Sequence, residues 1–258
     1  MTLITAWKDK RSVFVVGDSA ITRRNVSNQY VTQILNTKKL TTTFGETLVV
    51  STQHVVSEEV IKIHNVKNKL IIGFAGYGDI AIDVIDFLDE ELDSNFTISY
   101  LCYKIQEAVD IFGSNFEMVF GVMTQKDPVL FTFNTNKKRR FKFYGKHSPV
   151  LLGNMKQEPV FKLITGSLMD MLKVIRVKNS PDEKLIMACT LLQGLTIRGG
   201  FISNGVGGFY MGGFVNVQAP QRVGLDYRIK KCNFSHEKTQ MDKNGEVSDS
   251  PGSRKRRP

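Results

Sequence analysis

Short apolar runs broken by polar turns fill the first part of the chain. Residues 3–7 and 12–17 are two such runs around Lys8-Asp9-Lys10-Arg11, the pattern of a β-hairpin that begins at the N-terminus. Residues 19–59 are less regular, rich in Ser, Thr and Asn. They carry one further candidate hairpin, Thr47–Val50 with Gln53–Val56. The pattern then sharpens. Val60–Ile63 and Lys69–Ala75 read as strands around the polar turn Asn65–Asn68, and the second is continuously apolar, as in a strand covered on both faces.

Helical spacing follows. Asp79 is the expected N-cap of a helix carrying Ile82, Ile85, Phe87, Leu88 and Leu92. A second helix is predicted over 98–112, with Ile98, Leu101, Ile105, Val109 and Phe112 on one face. Strands are predicted at 117–124, 129–134, 140–144 and 149–153, and helices at 158–177 and 182–198, the latter capped by Asp182 after Pro181. Gly208–Met211, Phe214–Gln218 and Val223–Ile229 read as strands. From about residue 235 apolar residues almost vanish, which predicts a disordered basic tail.

Strands, two helices, strands, two helices, strands: blocks of this kind argue α+β rather than alternating βαβ. The expected architecture is a four-layer αββα sandwich, in which helices cover two stacked sheets. One domain is expected over 2–234, with an insertion at about 25–58 and the tail at 235–258.

Composition changes this picture little. The chain has 258 residues, 41% hydrophobic and 23% charged, ordinary for a folded domain. No apolar run approaches the roughly 20 residues that span a bilayer, and no signal-peptide pattern opens the chain, so a cytoplasmic protein is expected. Cys102, Cys189 and Cys232 are widely spaced, without a CxxC pair, and His54, His64, His147 and His236 are scattered. No metal or other cofactor is expected. The net charge of +10 raises nucleic acid as a partner. The basic residues, however, cluster at Lys137-Lys138-Arg139-Arg140, on a predicted hairpin turn, and at Arg254–Arg257. Neither is a basic face interleaved with aromatics, so solvated charge is the simpler reading.

The candidate chemistry lies at the N-terminus. A small residue after Met1 permits trimming of the initiator. That leaves Thr2 with a free α-amine on an ordered strand, a nucleophile and a base in one residue. Asp18 ends the second predicted strand. Lys62 precedes the apolar strand that ends at Gly76, where a backbone N–H before a helix can meet an oxyanion. A lone Asp at a strand end is usually a turn residue, and a lone Lys in a strand usually lies at its surface. The three features gain weight only together.

The segments TLITAWKDKRSVFVVGDSAITRR and KIHNVKNKLIIGFAGYGDIAIDVIDFL resemble two blocks of proteasome β subunits and of the bacterial proteasome-like peptidase subunit. The resemblance covers about residues 2–24 and 60–93 well, and the later elements loosely in order. It implies the N-terminal-nucleophile hydrolase fold. The family's catalytic Thr, Asp and Lys fall on Thr2, Asp18 and Lys62, its oxyanion glycine on Gly76, and a threonine that binds substrate main chain on Thr22. The Asp18–Lys62 spacing is longer than the family's, which makes Lys38 and Lys39 rivals for the Lys role. The intact register with the following strand favours Lys62.

The family's supporting Ser falls on Asn154, and its second supporting pair falls near Ser203 and Val206. None of these keeps the family's residue type. The expected function is a threonine-type peptidase or amidohydrolase acting on peptides or proteins from a homo-oligomer. An ATP-dependent unfoldase is a further partner the resemblance suggests. The alternative is a catalytically silent structural or binding subunit.

Overall fold

The computed structural model describes residues 2–24, 47–51, 54–58, 60–124, 127–146, 148–153, 159, 165–168, 170, 180–199, 206 and 210–216. Expectations for the strand at 223–229, the tail from 235 and most of the segment 158–177 lie outside the described residues. So do Lys38 and Lys39.

The chain opens with strand β1 (Ile4–Lys8), β2 (Ser12–Asp18) and β3 (Ala20–Arg24), followed by β4 (Thr47–Ser51) and β5 (His54–Glu58). Next come β6 (Ile63–Val66), β7 (Leu70–Gly76), helix α1 (Gly78–Glu91) and helix α2 (Ile98–Phe112). Four strands follow: β8 (Phe116–Val122), β9 (Val129–Asn134), β10 (Phe141–Tyr144) and β11 (Val150–Leu152). Helix α3 (Pro181–Gly199) and strand β12 (Tyr210–Asn216) complete the described elements.

Two antiparallel sheets form the body, ordered β11-β1-β2-β12 and β10-β9-β8-β7-β6. Alternation along β2 shows how they stack. Val13 and Val15 point into the layer between the sheets, where they meet Ile71 and Val119, whereas Phe14 and Val16 point outward toward α3. On the other side, Phe74, Met118 and Phe120 face outward and pack under α1 and α2. The result is helix, sheet, sheet, helix: the αββα order expected from the alternation of blocks. Flat aromatic stacks fix the outer layers, Trp7 on Phe14 at 4.9 Å and Phe120 on Phe131 at 4.8 Å. A third sheet, β3-β5-β4, contains the predicted hairpin of the insertion and joins it to the strand that follows Asp18.

Local chemistry explains most boundaries. Asp9 Oδ1 accepts the N–H groups of Arg11 and Ser12, each at 2.8 Å, and so closes the first hairpin. The three-residue β6–β7 loop, closed by the Lys69 N–H donating to the Val66 carbonyl at 3.2 Å, places Lys67 and Asn68 at φ of 52° and 53°, the left-handed twist that suits a tight hairpin turn. Thr97 caps α2 by accepting the Tyr100 N–H at 3.2 Å.

Four expectations are corrected. Lys62 is not in a strand but immediately before β6, although its carbonyl still accepts the Phe74 N–H at 3.3 Å and prolongs the pairing. Asp79 is not the cap of α1. Tyr77 holds that position without a side-chain bond, and Asp79 sits in the first turn, where its charge complements the helix dipole. Asp182 is not the cap of α3 either. Ser180 Oγ accepts the Glu183 N–H at 3.3 Å while Glu183 Oε2 accepts the Ser180 N–H at 3.0 Å, a reciprocal box with Pro181 in the first turn. Finally, Gly212-Gly213 does not divide two strands. Both glycines pair with β2 inside β12, and Gly212 leaves room for Leu185 of α3.

Candidate active site

The N-terminal hairpin places Thr2 beside Asp18. Register alone brings Leu3 opposite Asp18, and the pairing is doubled. The Asp18 N–H donates to the Leu3 carbonyl at 3.1 Å, and the Leu3 N–H donates to Asp18 Oδ1 at 2.9 Å. Thr2, half-buried, is the residue covalently next to this lock.

Lys62 completes the lock from the other sheet. Its Nζ donates to Asp18 Oδ1 at 3.0 Å and to the Ala20 carbonyl, while its backbone N–H meets Met211 Sδ at 3.3 Å. Asp18 is 0% exposed and Lys62 3%. Burial lowers the Lys62 pKa below its ordinary value, and the attraction of Asp18 offsets this only in part. Asp18 and the Ala20 carbonyl anchor the ammonium between them. Tyr210, paired with Asp18 across β12 and β2, is also wholly buried. Desolvation, with the Asp18 charge behind it, pushes its phenol well above the ordinary range.

Two glycines at strand ends near this pair take left-handed φ, and one of them packs on Thr2. Gly76, exposed at the end of β7, has φ of 112°, and a Cβ there would lie 2.6 Å from the Asn115 carbonyl oxygen. Gly153, just past β11, has φ of 95°, and a Cβ there would overlap the Thr2 carbonyl. The backbone of Gly153 is therefore packed directly on Thr2.

The sequence reading missed Glu117. It lies on β8 next to Phe116, the partner of Gly76. Its Oε1 accepts the Gly153 N–H at 2.7 Å and its Oε2 accepts the Asn134 side-chain amide at 2.8 Å. The signal was present in Asn-Phe-Glu-Met-Val-Phe, where alternation turns a lone charge toward the inner layer.

Of the other expected site residues, Thr22 lies on β3 opposite Val56, with its side chain outside the described residues. Asn154 and Ser203 also lie outside them. Val206 is fully buried in the apolar layer under α3 and offers no polar group. Among the described residues no group of three His, Cys, Asp or Glu could hold a metal ion, and no helix is long and apolar enough to cross a membrane. Lys137 and Lys138 are exposed on the β9–β10 turn, and Cys102 and Cys189 are half-buried at the edges of the outer layers.

No protein-family model matches the chain, and no curated protein matches it. Solved structures do. A mutant of Anbu from Hyphomicrobium sp. strain MC1 is similar with a TM-score of 0.51 and 15% identity, over 84% of this chain and 82% of that one. Eukaryotic HslV from Trypanosoma brucei is similar with a TM-score of 0.47 and 9% identity, over 83% of this chain and 99% of that one. The likeness to Anbu, at 15% identity, shows the fold.

Proposed function

We propose that the chain is a threonine-type peptidase or amidohydrolase whose nucleophile is Thr2 after removal of Met1. The observation that carries this reading is the buried Lys62–Asp18 pair, bonded through the Leu3 N–H to the residue beside Thr2. A fold that buries two charges there meets a desolvation cost that a purely structural hairpin would avoid.

The proposed chemistry runs as follows. Thr2 Oγ attacks the scissile carbonyl carbon, and its proton passes to the α-amine, directly or through a water. The Lys62 ammonium favours the developing alkoxide and keeps the amine unprotonated. Asp18 holds Lys62 in place. Gly76, at the end of β7 before α1, supplies the N–H that receives the oxyanion. The tetrahedral intermediate collapses to an ester on Thr2 as the leaving amine takes the proton, and water then hydrolyses that ester. Thr22 is assigned to substrate main chain, and Asn154 and Ser203 to support of the amine. The substrates are peptides or proteins, the working form is a homo-oligomer in the cytoplasm, and an ATP-dependent unfoldase is a candidate partner.

Thr2→Ala tests this. The variant should fold normally and lose peptide hydrolysis, and the wild-type chain should gain the mass of one β-lactone or epoxyketone adduct on Thr2. Undiminished hydrolysis by Thr2→Ala would sink the reading. Val206, apolar and buried where the family places a polar supporter, favours a second reading: a silent subunit of the same fold. Met1 retained in the mass of the purified chain, together with no adduct, would select it.

A further inference from the structure

We propose that Glu117 is a positioning residue for Thr2, an inference that rests on Thr2 being the nucleophile. Along β8, Phe116 and Met118 face the outer layer and Val119 the inner one. Glu117 therefore projects between the sheets, at the end where Thr2, Asp18, Lys62 and Gly76 gather. A carboxylate there needs partners. It receives the Gly153 N–H at 2.7 Å and the Asn134 amide at 2.8 Å.

Gly153 is the backbone unit packed on the Thr2 carbonyl. A charge-assisted bond to its N–H is short and directional, so Glu117 fixes where that unit sits. Asn115, just before β8, and Phe116, its first residue, govern the Gly76 side. The Asn115 carbonyl accepts the Tyr77 N–H at 3.3 Å, and Phe116 pairs with Gly76. The segment is braced from β9. Thr135 Oγ1 accepts the N–H groups of Asn115 at 3.0 Å and Phe116 at 3.2 Å, and donates to the Phe116 carbonyl at 3.0 Å. Glu117 thus couples the two backbone pieces whose separation sets the distance from nucleophile to oxyanion. Each lies in a different sheet, and the Glu117 side chain bridges that gap. A displacement of about 1 Å at a reacting centre costs on the order of a hundredfold in rate.

The test uses the chain released with Thr2 as its first residue, a peptide epoxyketone as probe and a fluorogenic peptide as substrate. Wild type, Glu117→Ala, Glu117→Gln and Val119→Ala are compared well below their melting points. Val119→Ala is the control for simple loss of stability on the same strand. Glu117→Ala should lower both the maximal labelling rate and kcat by roughly a hundredfold, with KM and the probe's binding constant within about threefold. Glu117→Gln still accepts the Gly153 N–H and should recover about tenfold or more of that loss. Val119→Ala should label at the wild-type rate. A wild-type labelling rate in Glu117→Ala overturns the role of Glu117 alone. Equal losses in Glu117→Ala and Val119→Ala also overturn it. A wild-type chain that neither labels nor hydrolyses overturns this role and the hydrolase reading together.

Discussion

The Asp18–Lys62 pair makes a prediction that does not depend on activity. At 3.0 Å the attraction is about 5–6 kcal/mol for an effective dielectric near 20. Both groups are buried, and burial lowers the Lys62 pKa against the opposing attraction of Asp18. Removing one partner leaves the other charge uncompensated, which typically costs about 3–5 kcal/mol. Asp18→Asn and Lys62→Met should each lose that much, close to 10 °C in melting temperature for a chain of this size, at about 2–4 °C per kcal/mol. Asp18→Asn with Lys62→Met removes both charges and lets Met fill the channel of the lysine stem. It should return to within about 1 kcal/mol of wild type. Urea unfolding of the four chains closes the cycle. If the two single losses simply add, or if Asp18→Asn costs under about 1 kcal/mol, the pair is not buried as described. The double variant carries a second consequence: it should be well folded yet inactive, because the proposed chemistry needs both charges.

Three further outcomes follow from the same geometry. Lys62 has a folded pKa below its ordinary 10.5, so between those two values the unfolded chain binds the extra proton and stability rises with pH. Melting wild type against Lys62→Met across alkaline pH should show wild type gaining on the variant up to about 10.5, and a widening deficit would contradict the sign. Gly153→Ala must place a Cβ into the Thr2 carbonyl at positive φ, so Thr2 should move and epoxyketone labelling fall at least tenfold, roughly 1.4 kcal/mol or more in transition-state terms; labelling at the wild-type rate would refute the close packing. Phe120→Ala removes a fully buried ring stacked on Phe131, and chemical denaturation should show a loss of about 3–5 kcal/mol without a change in labelling of the folded protein.

What could be read from the sequence was local. The α2 boundaries are legible because Thr97 supplies a cap, Gly113 a stop, and the apolar residues between keep helical spacing. The Leu3–Asp18 pairing is legible too, since a short hairpin turn fixes its register. The cap of α3 was misread although Ser180-Pro-Asp-Glu183 spells a capping box, because Pro181 drew the boundary two positions too late. The β12 glycines were misread for a different reason. Their weak strand propensity is outweighed by a full ladder with β2 and by the packing of Leu185, neither of which lies nearby in the chain.

Contacts between the sheets carried the rest. Lys62 and Asp18 are 44 residues apart and Gly153 and Glu117 are 36 apart, so no spacing rule joins them. Each of these charges sits among otherwise apolar surroundings. Charges so placed are found where a fold gives up stability for a task. The αββα stack needs only apolar residues between its sheets. Polar side chains are buried elsewhere in the sheets, Thr132 on β9 and the bonded Ser12 and Asn216 among them, but three charged ones among the described residues, Asp18, Lys62 and Glu117, lie at the end where β1 begins and β7 stops. Their convergence on the backbone around Thr2 is the physical reason to treat that residue, rather than the basic surface turns, as the working centre of the chain.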